Sequence, residues 1–194
     1  MNAAEAAPRP VRTPRRSAGR SLAAATSAAA GAARAAEVVG AVVDPELPVV
    51  TLAELGIVRD VAMADDGVVV TITPTYSGCP AMEAIRDDIV RALDRAGFGR
   101  ATVRTVLAPA WTTDWISESG RAKLAAAGIA PPGAAPRRGA GPVPLLLGVR
   151  PNAVACPQCG HAETEQLAAF SATACRELRR CLACREPFEH VKEI

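Results

Sequence analysis

The chain has 194 residues, which is enough for one ordinary domain and a smaller module. It contains only three Phe, two Trp and one Tyr, so its core must be built from Val, Leu, Ile and Ala. No stretch approaches the roughly 20 strongly apolar residues of a membrane span, so we expect no membrane association.

The formal net charge is +2, but the charge is unevenly distributed. Residues 1–34 hold six Arg and one Glu, whereas residues 35–130 hold eight basic and thirteen acidic residues. The tail, residues 156–194, holds five basic and six acidic residues. A protein that binds nucleic acid needs a basic face on its folded part, so the charge distribution disfavours that class.

Residues 1–34 are predicted to be a disordered extension rich in Ala and Arg. The pair Arg15-Arg16 could indicate a twin-arginine export signal. However, Leu22 is the only large apolar residue between Val11 and Val38, which makes a poor hydrophobic core for export. We therefore expect a cytoplasmic protein whose cysteines stay reduced.

Residues 35–130 are predicted to form a small α+β or α/β domain. Asp-Gly between apolar runs favours a short hairpin at Asp65-Asp66-Gly67, and apolar side chains at helical spacing favour a helix with a Gly97 cap. An order of helix, hairpin, helix, strand and helix implies helices packed against one sheet face. The predicted elements are a helix at 35–43, strands at 57–62 and 68–73, a helix at 79–96, a strand at 102–107 and a helix at 115–127 capped by Asp114.

Cys79 is the first candidate functional residue, since it lies where the loop Thr75-Tyr76-Ser77-Gly78-Cys79-Pro80 enters the second predicted helix. The positive end of a helix dipole stabilises a thiolate, which is both a nucleophile and a soft-metal ligand. Lone cysteines are also common small apolar residues, and that alternative stays open. Asp44-Pro45-Glu46 either ends the first helix with solvated acids or brings carboxylates to the Cys79 loop.

The segment Trp111-Thr112-Thr113-Asp114-Trp115 contains both tryptophans of the chain. It is interpreted as core packing with a helix cap, or as a docking surface, since Trp is favoured at interfaces. Residues 131–149 are rich in Pro and Gly and are predicted to be a linker that ends in a short apolar strand at 145–149.

Residues 150–194 carry the strongest motif, the pairs Cys156-Pro157-Gln158-Cys159 and Cys181-Leu182-Ala183-Cys184. Two thiolates on each of two tight turns complete a tetrahedral four-sulfur shell, at a separation close to that of zinc ribbons. The alternatives are two disulfides or four unrelated thiols, which the lack of a secretion signal disfavours. We predict a zinc ribbon with a structural zinc ion, with iron as the alternative metal.

The other titratable residues of the tail do not form a catalytic group. Cys175 either packs within the ribbon or helps to hold or pass on metal. His161 and His190 could each replace a thiolate ligand, but neither belongs to a triad, and the chain has no phosphate-binding loop. We therefore predict no catalytic residue and do not expect the chain to be an enzyme on its own.

Four motifs together resemble known families. The motifs at residues 44–48, 55–58 and 75–80 resemble the metal–sulfur cluster assembly domain of SufT-like proteins. Together with the motif at residues 109–115 and the cysteine-rich tail, they make residues 35–194 resemble the PaaD (PaaJ) family, the D subunits of the phenylacetyl-CoA epoxidase system. The motifs are Asp44-Pro45-Glu46-Leu47-Pro48, Leu55-Gly56-Ile57-Val58, Thr75-Tyr76-Ser77-Gly78-Cys79-Pro80 and Pro109-Ala110-Trp111-Thr112-Thr113-Asp114-Trp115.

This resemblance implies an accessory subunit in aerobic phenylacetate catabolism, within a system that uses oxygen and NADPH. It implies oxygenase and reductase subunits as partners and a role in iron–sulfur cluster or metal maturation, with transient iron or a nascent cluster as cargo. In related domains the cysteine matching Cys79 is the reactive or metal-handling thiol, and the acid matching Asp44 lies in the same motif. The alternatives are a stable structural or electron-transfer component of the epoxidase complex and a general SufT-like iron–sulfur carrier.

Overall fold

A computed structural model describes residues 22–76, 78–135 and 153–193. Three strands form one sheet in the order β1-β2-β3, and four strands form a second sheet in the order β4-β7-β6-β5. The predicted mixed fold with a carboxy-terminal ribbon is confirmed. The elements are α1 (Leu22–Gly40), β1 (Val58–Ala64), β2 (Gly67–Ile72), α2 (Met82–Arg95), β3 (Ala101–Thr105), a 3₁₀ turn (Thr113–Trp115), α3 (Glu118–Ala126), β4 (Ile129–Ala130), β5 (Thr164–Ala168), β6 (Arg176–Cys181) and β7 (Pro187–Val191).

The first sheet is built around the predicted hairpin, which is confirmed. β1 pairs with β2 in antiparallel orientation, and β2 pairs with β3 in parallel orientation. Gly67 begins β2 with a φ of 144°, and a Cβ atom there would lie 2.0 Å from the carbonyl oxygen of Arg100. Only glycine therefore allows the hairpin to pack this closely against the start of β3.

The apolar side chains at helical spacing, which predicted this helix, pack into the core on one face of α2. Ile85, Ile89 and Leu93 are buried, and Gly97 follows the helix with a φ of 80°, as its predicted role at the helix end requires. The helix begins at Met82, three residues after the predicted start, with Ala81 as its N-cap residue. Cys79 therefore lies before the helix and not in its first turn.

Helix α1 is longer than predicted and includes part of the expected disordered extension. Residues 22–34 belong to α1, while residues 1–21 lie outside the described residues. Alanine has the highest helix propensity, and Ala35 and Val39 are fully buried, which anchors the helix. Arg34 lies 5.0 Å from the centre of the Phe98 ring and donates a hydrogen bond to the Ala96 carbonyl at 2.7 Å.

The last helix of the first domain starts later than predicted. Asp114 lies in the 3₁₀ turn, and the N-cap of α3 is Ser117, whose hydroxyl accepts a hydrogen bond from the Gly120 N–H at 3.0 Å. The prediction that Asp114 caps this helix is therefore wrong. Gly128 follows the helix with a φ of 77°, which agrees with the predicted end.

The two modules are joined by strand pairing and by a shared core. β4 precedes the predicted boundary at residue 130 but pairs in parallel with β7 of the ribbon. Val191 of β7 belongs to the main core cluster of the first domain. Of the predicted linker, residues 131–135 are described, and the predicted strand at 145–149 lies outside the described residues. Among the described residues, no helix is long and apolar enough to cross a lipid bilayer.

Candidate metal centre and inter-domain cavity

The four ribbon cysteines form one cluster. Their sulfur atoms all lie within 4.8 Å of one another, with 3.7 Å between Cys156 and Cys184 and 3.6 Å between Cys159 and Cys181. Four thiolates at about 2.3 Å from a tetrahedral zinc ion are about 3.8 Å apart, whereas disulfide sulfurs are about 2.0 Å apart. The six cysteines are all free, so the donor set fits a metal ion and not two disulfides.

The two cysteine turns have the same local geometry. The N–H of Gly160 donates to the Cys156 carbonyl at 2.9 Å, and the N–H of Arg185 donates to the Cys181 carbonyl at 3.1 Å. Both donors have positive φ, 74° for Gly160 and 67° for Arg185. Glycine accommodates this conformation without strain, whereas Arg185 adopts it at a cost of about 1 kcal/mol. The second cysteine turn therefore has the same geometry as the first, although it has Arg185 in place of a glycine.

Backbone N–H groups lower the pKa of one of these thiols, that of Cys181. The N–H of Cys184 is directed at the Cys181 sulfur and, against the opposing effect of burial, lowers the pKa of the Cys181 thiol to about 6. The N–H of Ala183 acts in the same direction. In Cys184 of the same turn, the N–H of Glu186 lowers the pKa of the thiol, but burial and the neighbouring cysteine sulfurs outweigh it and raise that pKa to about 12. Because the thiolate is the ligand form of cysteine, a metal ion that binds here displaces protons from the cluster.

The two histidines lie outside the four-sulfur cluster. His190 is buried, and its Nδ1 lies 2.9 Å from Oε1 of Glu177. Burial raises the pKa of Glu177, but hydrogen bonds from Arg179 and His190 outweigh it and hold that pKa below its usual value. His161 instead accepts a hydrogen bond from the N–H of Glu163 through Nδ1. The alternative in which a histidine replaces a thiolate ligand therefore finds no support.

A second candidate site is a cavity of about 40 Å³ between the first domain and the ribbon. Pockets for organic ligands are typically about 300–1,000 Å³, so this cavity is too small to enclose a coenzyme, and most of the residues that line it are apolar. The chemically active side chains that line it are Asp44, Glu46 and Cys79 of the first domain and Thr173 and Cys175 of the ribbon.

Asp44 has a fixed orientation at this cavity. Its Oδ1 accepts hydrogen bonds from the N–H groups of Glu46 and Leu47, both at 2.8 Å. The residue is only 6% exposed, so the alternative of a solvated acid is wrong for Asp44. Burial raises the pKa of its carboxyl group, and the two backbone donors only partly oppose that effect.

Cys79 is half-buried and lines the same cavity. Its N–H donates to the Tyr76 carbonyl at 3.0 Å. Burial raises the pKa of the Cys79 thiol, the N–H of Ala81 opposes this, and the charges of Asp44, Cys175 and Glu46 raise it further. The expectation that the start of α2 would favour the thiolate is therefore wrong, because burial and neighbouring anions dominate.

The two tryptophans have different environments. Trp111 is buried, lines the cavity and donates from Nε1 to the Leu55 carbonyl at 2.8 Å. Its role in core packing is thus confirmed. Trp115 is half-buried, and the Arg59 guanidinium lies 3.6 Å from its ring centre.

Comparisons with known proteins cover both modules. Residues 142–192 match the family model described as the PaaD zinc beta ribbon domain. Residues 32–106 match the model described as iron-sulfur cluster assembly protein. The chain is 41% identical over 151 residues to the D subunit of the putative 1,2-phenylacetyl-CoA epoxidase of Escherichia coli (strain K12), covering 78% of this chain and 86% of that protein. The chain belongs to the PaaD family.

This PaaD-family chain also matches smaller proteins over about half of its length. It is 40% identical over 85 residues to the Fe-S protein maturation auxiliary factor YitW of Bacillus subtilis (strain 168), covering 43% of this chain and 82% of that protein. A crystal structure of a domain of unknown function, DUF59, from Bacillus anthracis is 30% identical, with a TM-score of 0.48, and covers 52% of this chain and 96% of that one. The resemblance to the PaaD family that the motifs indicated is confirmed.

Proposed function

We propose that this chain is an accessory subunit of a 1,2-phenylacetyl-CoA epoxidase and assists iron–sulfur cluster or metal maturation of its oxygenase and reductase subunits. Two relatives support the two parts of this proposal. One is named as the D subunit of that epoxidase and covers 78% of this chain. The other is named as an Fe-S protein maturation auxiliary factor and covers 43% of this chain, and the family model described as iron-sulfur cluster assembly protein matches residues 32–106.

The observation that carries the maturation role is that Asp44 and Cys79 line the same small cavity. Within the described part of the chain, the carboxylate of Asp44 accepts hydrogen bonds only at Oδ1, which leaves Oδ2 available to a cation. Cys79 supplies a sulfur ligand once its thiol proton is lost, and a bound cation favours that loss. The cargo would be an iron ion or a nascent cluster that is passed to a client subunit.

The ribbon is assigned a structural zinc ion. Its four sulfurs close a tetrahedral shell and leave no open position for a substrate. Elemental analysis and absorption spectroscopy of the full chain, purified without oxygen, should find one zinc per chain that survives dialysis and no visible charge-transfer band. Stoichiometric iron with a visible band that the ribbon cysteines supply would overturn this assignment.

The maturation role is tested by replacing Cys79 with Ser and co-expressing the chain with the oxygenase and reductase subunits. We expect a loss of about tenfold in the cluster content of the reductase, because the cargo loses a sulfur ligand. Ala174→Ser is the matched control, since it adds a hydroxyl group to the lining of the same cavity and leaves every sulfur in place. Full cluster content with Cys79→Ser would remove the proposed role.

A second candidate function is a stable structural or electron-transfer component of the epoxidase complex. The word subunit in the name of the Escherichia coli relative favours it. Size-exclusion chromatography of the co-expressed proteins separates the two candidates. A stoichiometric share of this chain in the complex favours a stable component, and its absence from the purified complex favours a transient helper.

A further inference from the structure

Another pocket of the first domain lies at the carboxyl ends of its two parallel strands. It is lined by residues 73–76, which follow β2, and by Leu107, Ala110 and Trp111, which follow β3. We call it the Leu107 pocket. In open α/β sheets, ligands bind outside the carboxyl ends of parallel strands. The position of the Leu107 pocket is therefore one at which a ligand is expected.

The size and the rim of the Leu107 pocket favour a protein ligand. Its volume is about 240 Å³, below the roughly 300–1,000 Å³ that is typical of sites for organic ligands. Two of its apolar side chains are exposed to solvent, Leu107 to 61% and Tyr76 to 47%. Exposed apolar surface around a pocket is typical of an interaction site. The pocket is therefore better suited to one side chain of another polypeptide than to a coenzyme.

Thr73 supplies a polar group to this lining. The residue is only 1% exposed, and its hydroxyl has no hydrogen-bond partner among the described residues. A buried hydroxyl without a partner destabilises the fold, so each such group calls for an explanation. The backbone does not explain the threonine, since its N–H donates to the Ile57 carbonyl at 2.9 Å and valine would keep that bond. The hydroxyl is therefore assigned to a ligand.

The Leu107 pocket adjoins the cavity that Cys79 lines. Thr75, Tyr76 and Trp111 contribute to both linings, and the Tyr76 carbonyl accepts a hydrogen bond from the Cys79 N–H at 3.0 Å. A polypeptide held at the Leu107 pocket is therefore brought next to Cys79. In a maturation factor, the polypeptide that must approach this thiol is the client that receives the cargo.

We propose that the Leu107 pocket is a docking site for a client subunit, which inserts one tyrosine side chain. The aromatic ring packs against Leu107 and Trp111, and the phenol hydroxyl forms a hydrogen bond with the Thr73 hydroxyl. This inference rests on the proposed maturation function and names the surface that receives the client. It gives the pocket no part in binding the cargo itself.

The chemistry of the pocket is tested on the full chain with p-cresol and toluene, which carry the side-chain groups of tyrosine and phenylalanine. In proton–nitrogen correlation spectra, p-cresol should shift the indole N–H signal of Trp111 and not that of Trp115, which does not line the pocket. Thr73→Val should weaken p-cresol binding about fivefold, because a hydrogen bond is lost, and should not weaken toluene binding. Equal p-cresol affinities of the wild type and Thr73→Val, or no shift at Trp111, would overturn the assignment.

Thr113→Val is the matched control. Thr113 is also fully buried with a hydroxyl that has no partner in the described part of the chain, but it does not line the pocket. Both valine variants should raise the urea midpoint of the free chain, since each removes a buried hydroxyl without a partner. Only Thr73→Val should weaken p-cresol binding. A lower midpoint for Thr73→Val would show that its hydroxyl already has a partner in the free chain, which contradicts the inference.

Docking of the client is tested by co-expression with the oxygenase and reductase subunits. With the photo-cross-linker p-benzoylphenylalanine in place of Leu107, irradiation should link the chain to one of those subunits. The control position is Leu167 of β5, which is also exposed and lies outside the pocket. Mass spectrometry should map the Leu107 cross-link to a client segment that contains a tyrosine. No cross-link, equal cross-linking from both positions, or a segment without tyrosine would overturn the proposal.

The cluster content of the reductase separates this inference from the maturation role. Leu107→Asp should lower that content, and the same substitution at Leu167 should not. If Cys79→Ser lowers the cluster content while Leu107→Asp leaves it unchanged, the maturation role stands and docking at this pocket fails. If position 107 cross-links to a client but Cys79→Ser leaves the cluster content unchanged, the docking surface stands and the maturation role fails.

Discussion

Arg176 of β6 lies 4.0 Å from Glu46 in the loop after α1, an ion pair that links the ribbon to the loop carrying Asp44. A second guanidinium nitrogen of Arg176 lies 2.5 Å from Glu189 on β7. The arginine side chain is only 7% exposed, whereas Glu46 is 36% exposed. Arg176 thus acts at the junction of the two modules, and its two carboxylate partners differ in how much the solvent screens them.

Replacing Arg176 with Leu should lower the free energy of unfolding by about 2 kcal/mol, because Glu189 loses a charged hydrogen-bond donor. Glu46→Gln is the matched comparison and should cost less than about 1 kcal/mol, since it removes a longer and more exposed ion pair. Urea unfolding followed by circular dichroism measures both. Equal losses of unfolding free energy for the two variants would show that the ion pair with Glu46 stabilises the fold as much as the contact with Glu189 does.

Asp44→Asn should stabilise the fold increasingly as the pH rises from 4 to 7. Burial raises the pKa of Asp44 above 3.8, so the stability linked to its protonated form is present at low pH and lost as the pH rises through the raised value. Asn retains an oxygen that can accept the hydrogen bonds from Glu46 and Leu47. Unfolding free energies of both proteins across this range provide the measurement.

Asp60→Asn, at an exposed position of β1, is the control for this series. The difference in stability between Asp44→Asn and the wild type should grow with pH, and Asp60→Asn should show no comparable trend. A stability gain combined with a lower cluster content of the co-expressed reductase would indicate that Asp44 is kept for its function. A difference that shrinks with rising pH would show that burial does not control this carboxyl group.

Local signals in the sequence explain what could be predicted. The hairpin at Asp65-Asp66-Gly67 and the buried face of α2 follow from turn chemistry and from spacing within a few residues. The paired cysteines follow from the geometry of two short turns. In each case the residues that determine the structure are neighbours in the chain.

The remaining features depend on residues that are distant in the sequence. The raised pKa of Cys79 depends on burial and on Cys175, which the ribbon brings to the cavity. No local pattern indicates that Arg176 reaches Glu46, because that contact exists only after the two modules have packed. The predicted start of α3 is wrong because Asp114 and Ser117 are both acceptable caps in sequence, and in the structure the Ser117 hydroxyl accepts the cap hydrogen bond from Gly120.

Glu177→Ala should lower the free energy of unfolding by about 3 kcal/mol, because it removes the buried carboxylate that Arg179 and His190 share. The matched control is Glu165→Ala, which removes the partner of Arg180 from an ion pair in which both side chains are 42% exposed. That control should cost less than about 1 kcal/mol. Thermal and urea unfolding at pH 7 compare the two.

The pH dependence gives an independent check on Glu177. Its pKa is held below the ordinary value of 4.5, so the stability it contributes is present above that pH and is lost as the pH falls through the lowered value. The penalty for Glu177→Ala should therefore be largest near neutral pH and shrink in acid. A penalty that grows in acid would argue against an ionised carboxylate in this network.

Cys159→Ser should release the ribbon metal, whereas Cys175→Ser should retain it. The first change removes one of four clustered sulfurs, and the second removes a sulfur outside that cluster. Because metal binding supplies much of the folding energy of a small ribbon, β5, β6 and β7 should lose protection from hydrogen exchange in Cys159→Ser. The core of α2, with Ile85 and Ile89, should remain protected, although the packing of Val191 against it weakens. Metal retention by Cys159→Ser at wild-type affinity would contradict a four-sulfur site, and metal loss in Cys175→Ser would place the sixth cysteine within it.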